Sequence, residues 1–234
     1  HWEAWSESIC RQSPHYVPNV DWDGARALLL KHVDLRNPAV RAVERLAGPA
    51  GIGKTRFARE VLVDLGEGAQ SLVVYTFSEA AALSVASRLA NDEHLSGILV
   101  ADECSAKARA DLEETLHGQS SRVRVVAIDN QALRGGGVAP QAWLGRPKDD
   151  RLVLEILHQN YGQKEAGQNL AEIARVSGGY VRFALTVCQQ GDFAPASIQQ
   201  YLDKHFPPDS ENRRVLELLS LVTHVARHGA EGQE

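Results

Sequence analysis

Gly48-Pro49-Ala50-Gly51-Ile52-Gly53-Lys54-Thr55 is the stretch of this sequence best equipped for chemistry. Its spacing is G-x-x-x-x-G-K-[ST], in which backbone N–H groups turn inward around a phosphate and glycine leaves room for the approach. Lys54 then supplies a cation for the β- and γ-phosphates, and the Thr55 hydroxyl a ligand for Mg²⁺. A helix opening near Lys54 adds its N-terminal dipole to the same anion site. About 50 residues further on, Gly97-Ile98-Leu99-Val100-Ala101 is an unbroken apolar run of strand length that ends in Asp102-Glu103. Carboxylates at the C-terminal end of a buried parallel strand face the side of the sheet where ligands bind. Asp102 is expected to hold Mg²⁺ through water, and Glu103 to serve as general base toward an attacking water. The next strand ends in Asp129-Asn130. Asn130, or Asp129, either presents a polar group near the γ-phosphate or simply ends the strand. The expected site therefore takes ATP/ADP and Mg²⁺, with Lys54, Glu103 and Asn130 as catalytic candidates and Thr55 and Asp102 at the metal.

These side chains need a sheet to carry them. Val40–Ala47 before the loop reads as a strand, more polar than a central parallel strand usually is, and Arg56–Val63 after it reads as a helix. Ser71–Phe77 is rich in β-branched and aromatic residues, and Ser78 is placed to cap a helix from Glu79 to about Ala90. Ser105 opens another helix, Arg122–Ile128 is a further strand, and Ala142-Trp143-Leu144 is a short fifth one. Strands alternating with helices predict a parallel sheet with helices on both faces. From Asp149 onward no strand signal remains, and helices are expected over 151–161, 164–176, 180–190, 197–205 and 211–227. Gly178-Gly179 stops one of these, and Arg182 stands in the first turn of the next. That arginine either reaches back to the phosphates or is a solvated helix-start residue.

Upstream of the loop, a helix is expected over Trp2–Gln12, then an extended segment, then a helix over Asp23–His32. The aromatic residues of this region pack on the core or on a neighbouring domain. Tyr16-Val17-Pro18-Asn19 either joins them or lines the base side of a nucleotide pocket.

The chain has 234 residues, 25 basic and 30 acidic, and a net charge of −5, a balance that gives no support to general nucleic-acid binding. Its three cysteines, Cys10, Cys104 and Cys188, are far apart, with no C-x-x-C, which points away from a metal site and toward a reducing compartment. No apolar run is long enough to span a bilayer, so a cytoplasmic location without membrane contact is expected. The chain begins at His1 and contains no Met, which reads as a fragment. Cys104 has no base in view, the nine histidines show no ligand spacing, and nothing singles out Arg134 or Arg146 as arginine fingers.

The Gly48–Arg56 loop, the Asp102-Glu103 strand and the Gly-Gly-x-x-Arg-x-Ala-Leu helix start at Gly178 together resemble the STAND branch of the AAA+-related P-loop ATPases. The resemblance covers roughly residues 15–225. Tyr16-Val17-Pro18-Asn19 is similar to the aromatic-Val-Gly-Arg entry that contacts adenine in that family, with Pro18 and Asn19 in place of Gly and Arg. Arg182 keeps the AAA+ pattern where many STAND proteins have Gly-x-Pro, and Asp129-Asn130 stands where many place an arginine. The resemblance implies nucleotide contacts by Gly48 to Arg56, Tyr16, Val17 and Arg182. It also implies a three-layer P-loop α/β sandwich with a five-stranded parallel sheet of order 5-1-4-3-2, followed by an all-α lid. The expected boundaries are an N-terminal segment (1–34), a nucleotide-binding domain (35–147), a helical lid (148–208) and the start of a winged helix (209–234).

By the same resemblance the chain is an ATP-controlled switch, self-associating in the ATP state and driving an effector encoded elsewhere, in bacterial defence or regulation. An AAA+ remodeller or loader acting on DNA or protein is the first alternative. A nucleotide-gated binding module without hydrolysis is the second.

Overall fold

The computed structural model describes residues 2–37, 41–119, 121–129, 142–162 and 170–190. The chain divides into two compact units, His1–Leu185 and Thr186–Glu234. Of the second, only the end of one helix falls among the described residues, and the helices expected at 197–205 and 211–227 lie outside them.

Among the described residues five strands form one parallel sheet: β1 (Val43–Ala47), β2 (Val73–Thr76), β3 (Gly97–Ala101), β4 (Val123–Asp129) and β5 (Ala142–Trp143). Their order is β2-β3-β4-β1-β5, or β5-β1-β4-β3-β2 from the opposite edge, so β4 separates the strand before Gly48 from the strand before Asp102. All five residues of β3 and all seven of β4 are buried. Strands enclosed on both faces need apolar side chains throughout, which is why these two read as continuous hydrophobic runs.

Alternation along the strands sorts those side chains between two cores. Ile98, Val100, Val126 and Ile128 face one side, with Trp5, Trp22, Leu29, Phe57 and Val61. These last come from α1 (Trp2–Gln12), a 3₁₀ turn at Val20–Trp22, α2 (Asp23–Val33) and α3 (Lys54–Val63). Leu99, Ala101, Val125 and Ala127 face the other side, with Ala86, Leu89 and Leu112. A short α4 (Glu67–Gln70) precedes β2, and α5 (Glu79–Asn91) and α6 (Ala106–Thr115) cover that second face. Ser105 caps α6 by accepting from the Ala108 N–H at 3.2 Å. Ser78 sits at the cap position of α5 but its side chain makes no capping bond, a departure from expectation. After β5 come α7 (Arg151–Tyr161), α8 (Leu170–Ser177) and α9 (Val181–Gln190).

The polar character of β1 has a structural reason. Arg45 crosses to the neighbouring strand and binds Asp129 through Nε at 2.9 Å and Nη2 at 2.8 Å. A buried carboxylate is tolerated there because its charge is met.

His32 of α2 is buried, with Nε2 3.0 Å from the Val125 carbonyl. Burial pushes its imidazole down to about 4 from the usual 6.5. A folded-state pKa below the unfolded one means that the unfolded chain takes up the proton first. Stability should therefore be complete above pH 6.5 and decline as pH falls toward about 4, by up to about 3 kcal/mol from this one residue. Denaturant unfolding at pH 7 and pH 4.5 measures it, and His32→Gln should lose most of that share of the pH dependence.

Candidate functional site

The Gly48–Gly53 loop joins the end of β1 to the start of α3. Gly48 is required by close approach: a Cβ there would lie 2.4 Å from the Leu144 carbonyl oxygen. Gly53, just before α3, has a φ of +103°, which only glycine adopts without strain. Lys54 is buried, and its ammonium donates to the Gly48 carbonyl at 2.9 Å and the Pro49 carbonyl at 2.7 Å. Desolvation lowers its pKa to about 8, with the carboxylates of Asp102 and Asp129 opposing that shift. A half-desolvated ammonium folded back on its own loop is poised to exchange two carbonyl partners for phosphate oxygens.

Asp102 stands directly after β3 and is brought to the same place. Its Oδ2 accepts from the Thr55 hydroxyl at 2.8 Å and from the Tyr75 hydroxyl at 2.9 Å, and its Oδ1 accepts from the Glu103 N–H at 2.9 Å. The Asp102 N–H donates to the Thr76 carbonyl at 2.8 Å, which pins the strand end. Among the described residues no group of three or more His, Cys, Asp or Glu could hold a metal. One hydroxyl and one carboxylate, both hard oxygen donors, suit Mg²⁺, whose remaining positions are usually filled by water and substrate phosphate. The pair fits that ion and is too small to cage a metal alone.

Glu103 is exposed and has a φ of +56°, the only positive φ at a non-glycine among the described residues. Holding glutamate in the left-handed region costs about 1–2 kcal/mol. Neighbouring bonds impose it: the Cys104 N–H donates to the Ile128 carbonyl at 2.9 Å, and the Ser105 N–H to Glu79 Oε1 at 2.8 Å. Cys104 itself is buried, and desolvation raises its thiol to about 11, the profile of a core residue.

Other expected site residues are placed differently. Arg56 turns away from the loop. Its Nη1 donates to the Ser13 carbonyl at 2.7 Å, its Nε lies 2.8 Å from Glu60, and its guanidinium sits 5.9 Å from the Tyr16 ring centre. One residue beyond Thr55 is about 100° around the helix, which points Arg56 at the N-terminal segment instead. Tyr16 is half-buried, with its phenol raised mainly by desolvation, and Val17 is buried. Asp129 is 1% exposed and bound by Arg45 and, at 3.3 Å, by Arg109, so its carboxylate is already engaged. Asn130 and Arg134 lie outside the described residues.

Arg182 meets the loop through its backbone: its N–H donates to the Gly51 carbonyl at 2.9 Å. Arg146 packs on Gly178 and Gly179 and lies 5.3 Å from the Tyr180 ring centre. Tyr75, which in the sequence is only one aromatic residue of a strand, touches the candidate site through its bond to Asp102. Its signal was the strand order, which sets β2 beside β3.

No protein-family model and no curated protein sequence matches the chain. Among solved structures it is similar to PCH-2 of C. elegans, at 14% identity and a TM-score of 0.43 over 73% of this chain. It is also similar to AMPPCP-bound DnaA from Aquifex aeolicus, at 12% identity and a TM-score of 0.47 over 90% of this chain. The chain spans 61% of the PCH-2 chain and 71% of the DnaA chain. No described helix is long and apolar enough to cross a membrane.

Proposed function

We propose that this chain is the ATP- and Mg²⁺-dependent switch region of a cytoplasmic STAND-type signalling ATPase. The observation that carries the proposal is the meeting of Lys54, Thr55 and Asp102 at the C-terminal end of one parallel sheet, with Thr55 hydrogen-bonded to Asp102 across β4. In this reading 35–147 is the nucleotide-binding domain, 148–208 the lid and 209–234 the start of a winged helix.

Lys54 and the loop N–H groups bind the phosphates, and Tyr16 and Val17 border the base. Thr55 and Asp102 would hold Mg²⁺, which supplies charge neutralisation between the phosphate oxygens. Glu103, exposed beside Asp102, takes a proton from the attacking water, and Asn130 orients the γ-phosphate end. The backbone bond from Arg182 to Gly51 sets the first turn of α9 against the phosphate loop. A side-chain contact from Arg182 to the γ-phosphate would exist only with ATP. A charge-assisted bond of about 1.5–3 kcal/mol shifts a lid equilibrium roughly 10- to 150-fold.

The expected consequence is self-association with ATP and its absence with ADP, the effector being carried elsewhere in the protein. Light scattering on the intact protein, with ADP and with a non-hydrolysable ATP analogue plus Mg²⁺, tests it. Equal mass in both states would remove the switch and leave nucleotide binding standing.

A further inference from the structure

Tyr75 lies on β2, an edge strand, one residue before its end. Parallel pairing sets Tyr75 opposite Val100 and Thr76 opposite Ala101, which carries the phenol alongside the residue that follows β3. That residue is Asp102, and the Tyr75 hydroxyl donates to its Oδ2 at 2.9 Å, the same oxygen that takes the Thr55 hydroxyl. An ionised carboxylate can only accept, so the phenol is the donor in this bond.

Behind the ring stands α1. Trp5 is buried and stacks on Tyr75, with ring centres 4.8 Å apart and planes 12° apart. Trp2 meets Trp5 edge-on at 5.5 Å. Two arginines of α3 hold the segment down. Arg59 donates to Ser6 Oγ from Nε at 3.0 Å and from Nη2 at 2.9 Å, and Arg56 donates to the Ser13 carbonyl at 2.7 Å. The helix that begins with Lys54 and Thr55 therefore also anchors the segment that braces Tyr75.

We infer that Tyr75 is a positioning residue for Asp102, and that α1, through the Trp5–Tyr75 stack, belongs to the metal–nucleotide site. The inference rests on the reading of Asp102 as the Mg²⁺ carboxylate. The terminal torsion of an aspartate is broad, so a carboxylate keeps one orientation only where donors fix both oxygens. Here the Glu103 N–H fixes Oδ1, and Thr55 and Tyr75 fix Oδ2. Partners of this outer kind are typically worth about 10- to 100-fold in metal affinity. The Tyr75 ring is packed against Trp5 while its hydroxyl binds Asp102, so one side chain joins α1 to the carboxylate.

The test is ATP binding in EDTA and across a Mg²⁺ titration, for wild type, Tyr75→Phe and Trp5→Leu. Tyr75→Phe keeps the ring and its stack. It should bind ATP in EDTA as wild type does, while the Mg²⁺ concentration for half-maximal effect rises about 10- to 100-fold. Trp5→Leu keeps the phenol and should shift the same midpoint in the same direction by a smaller factor. An unchanged Mg²⁺ midpoint in Tyr75→Phe overturns the inference, and so does a loss of ATP binding that is equal with and without Mg²⁺. Wild-type ATP binding that ignores Mg²⁺ would instead overturn the metal reading of Asp102 itself.

Discussion

Lys54→Ala is expected to abolish ATP binding, with affinity lowered by at least about 100-fold. Each charge-assisted bond from the ammonium to a phosphate oxygen carries about 1.5–3 kcal/mol, and the variant loses all of them together with the buried cation. Isothermal titration of ATP with Mg²⁺ into both proteins measures the loss, and equal affinities would sink the phosphate-loop assignment. The depressed pKa adds a second signature. Because burial brings the free lysine down to about 8, wild-type affinity should fall as pH rises through 8, where the empty site loses its charge. The sign follows from linkage: phosphate binds the protonated amine, so binding takes up a proton above that pH. Lys54→Ala should show no such fall.

Glu103→Gln should leave ATP affinity close to wild type and slow hydrolysis by about 100-fold or more, the range for loss of a general base. The amide keeps the size of the side chain and occupies the same left-handed backbone position, so the strain at φ +56° is common to both proteins and the thermal midpoint should hardly move. Single-turnover hydrolysis of bound ATP isolates the chemical step. A rate equal to wild type, in a protein that does hydrolyse ATP, would assign the base elsewhere.

Much of the candidate site was legible because its residues are local in sequence. The loop supplies Gly48 to Thr55 contiguously, and an apolar strand delivers Asp102 with Glu103 at its end. The meeting of Thr55 with Asp102, at 2.8 Å, follows once both strands point the same way in one sheet. What spacing could not convey was direction around a helix and contact between distant segments. Arg56 follows Thr55 directly in the chain yet serves the N-terminal segment. Tyr75 reads from the sequence only as an aromatic residue of a strand, and its tie to Asp102 depends on the register between β2 and β3. The polarity of β1 looked like a poor strand signal until Arg45 was seen to answer Asp129 on the next strand. The expectation for Arg182 concerned its guanidinium and a phosphate, and the backbone bond from its N–H to the Gly51 carbonyl is a separate contact.

That backbone bond also governs the orientation of a peptide plane. In a trans peptide the C=O and the following N–H point in opposite directions. With the Gly51 carbonyl turned toward α9, the Ile52 N–H must point away from that helix. A loop that flipped this one plane would lose its helix partner and reverse an amide dipole in the same movement. Because no side-chain atom takes part, every residue except proline can make this contact at position 182. The latch is therefore invisible to any search that reads side chains.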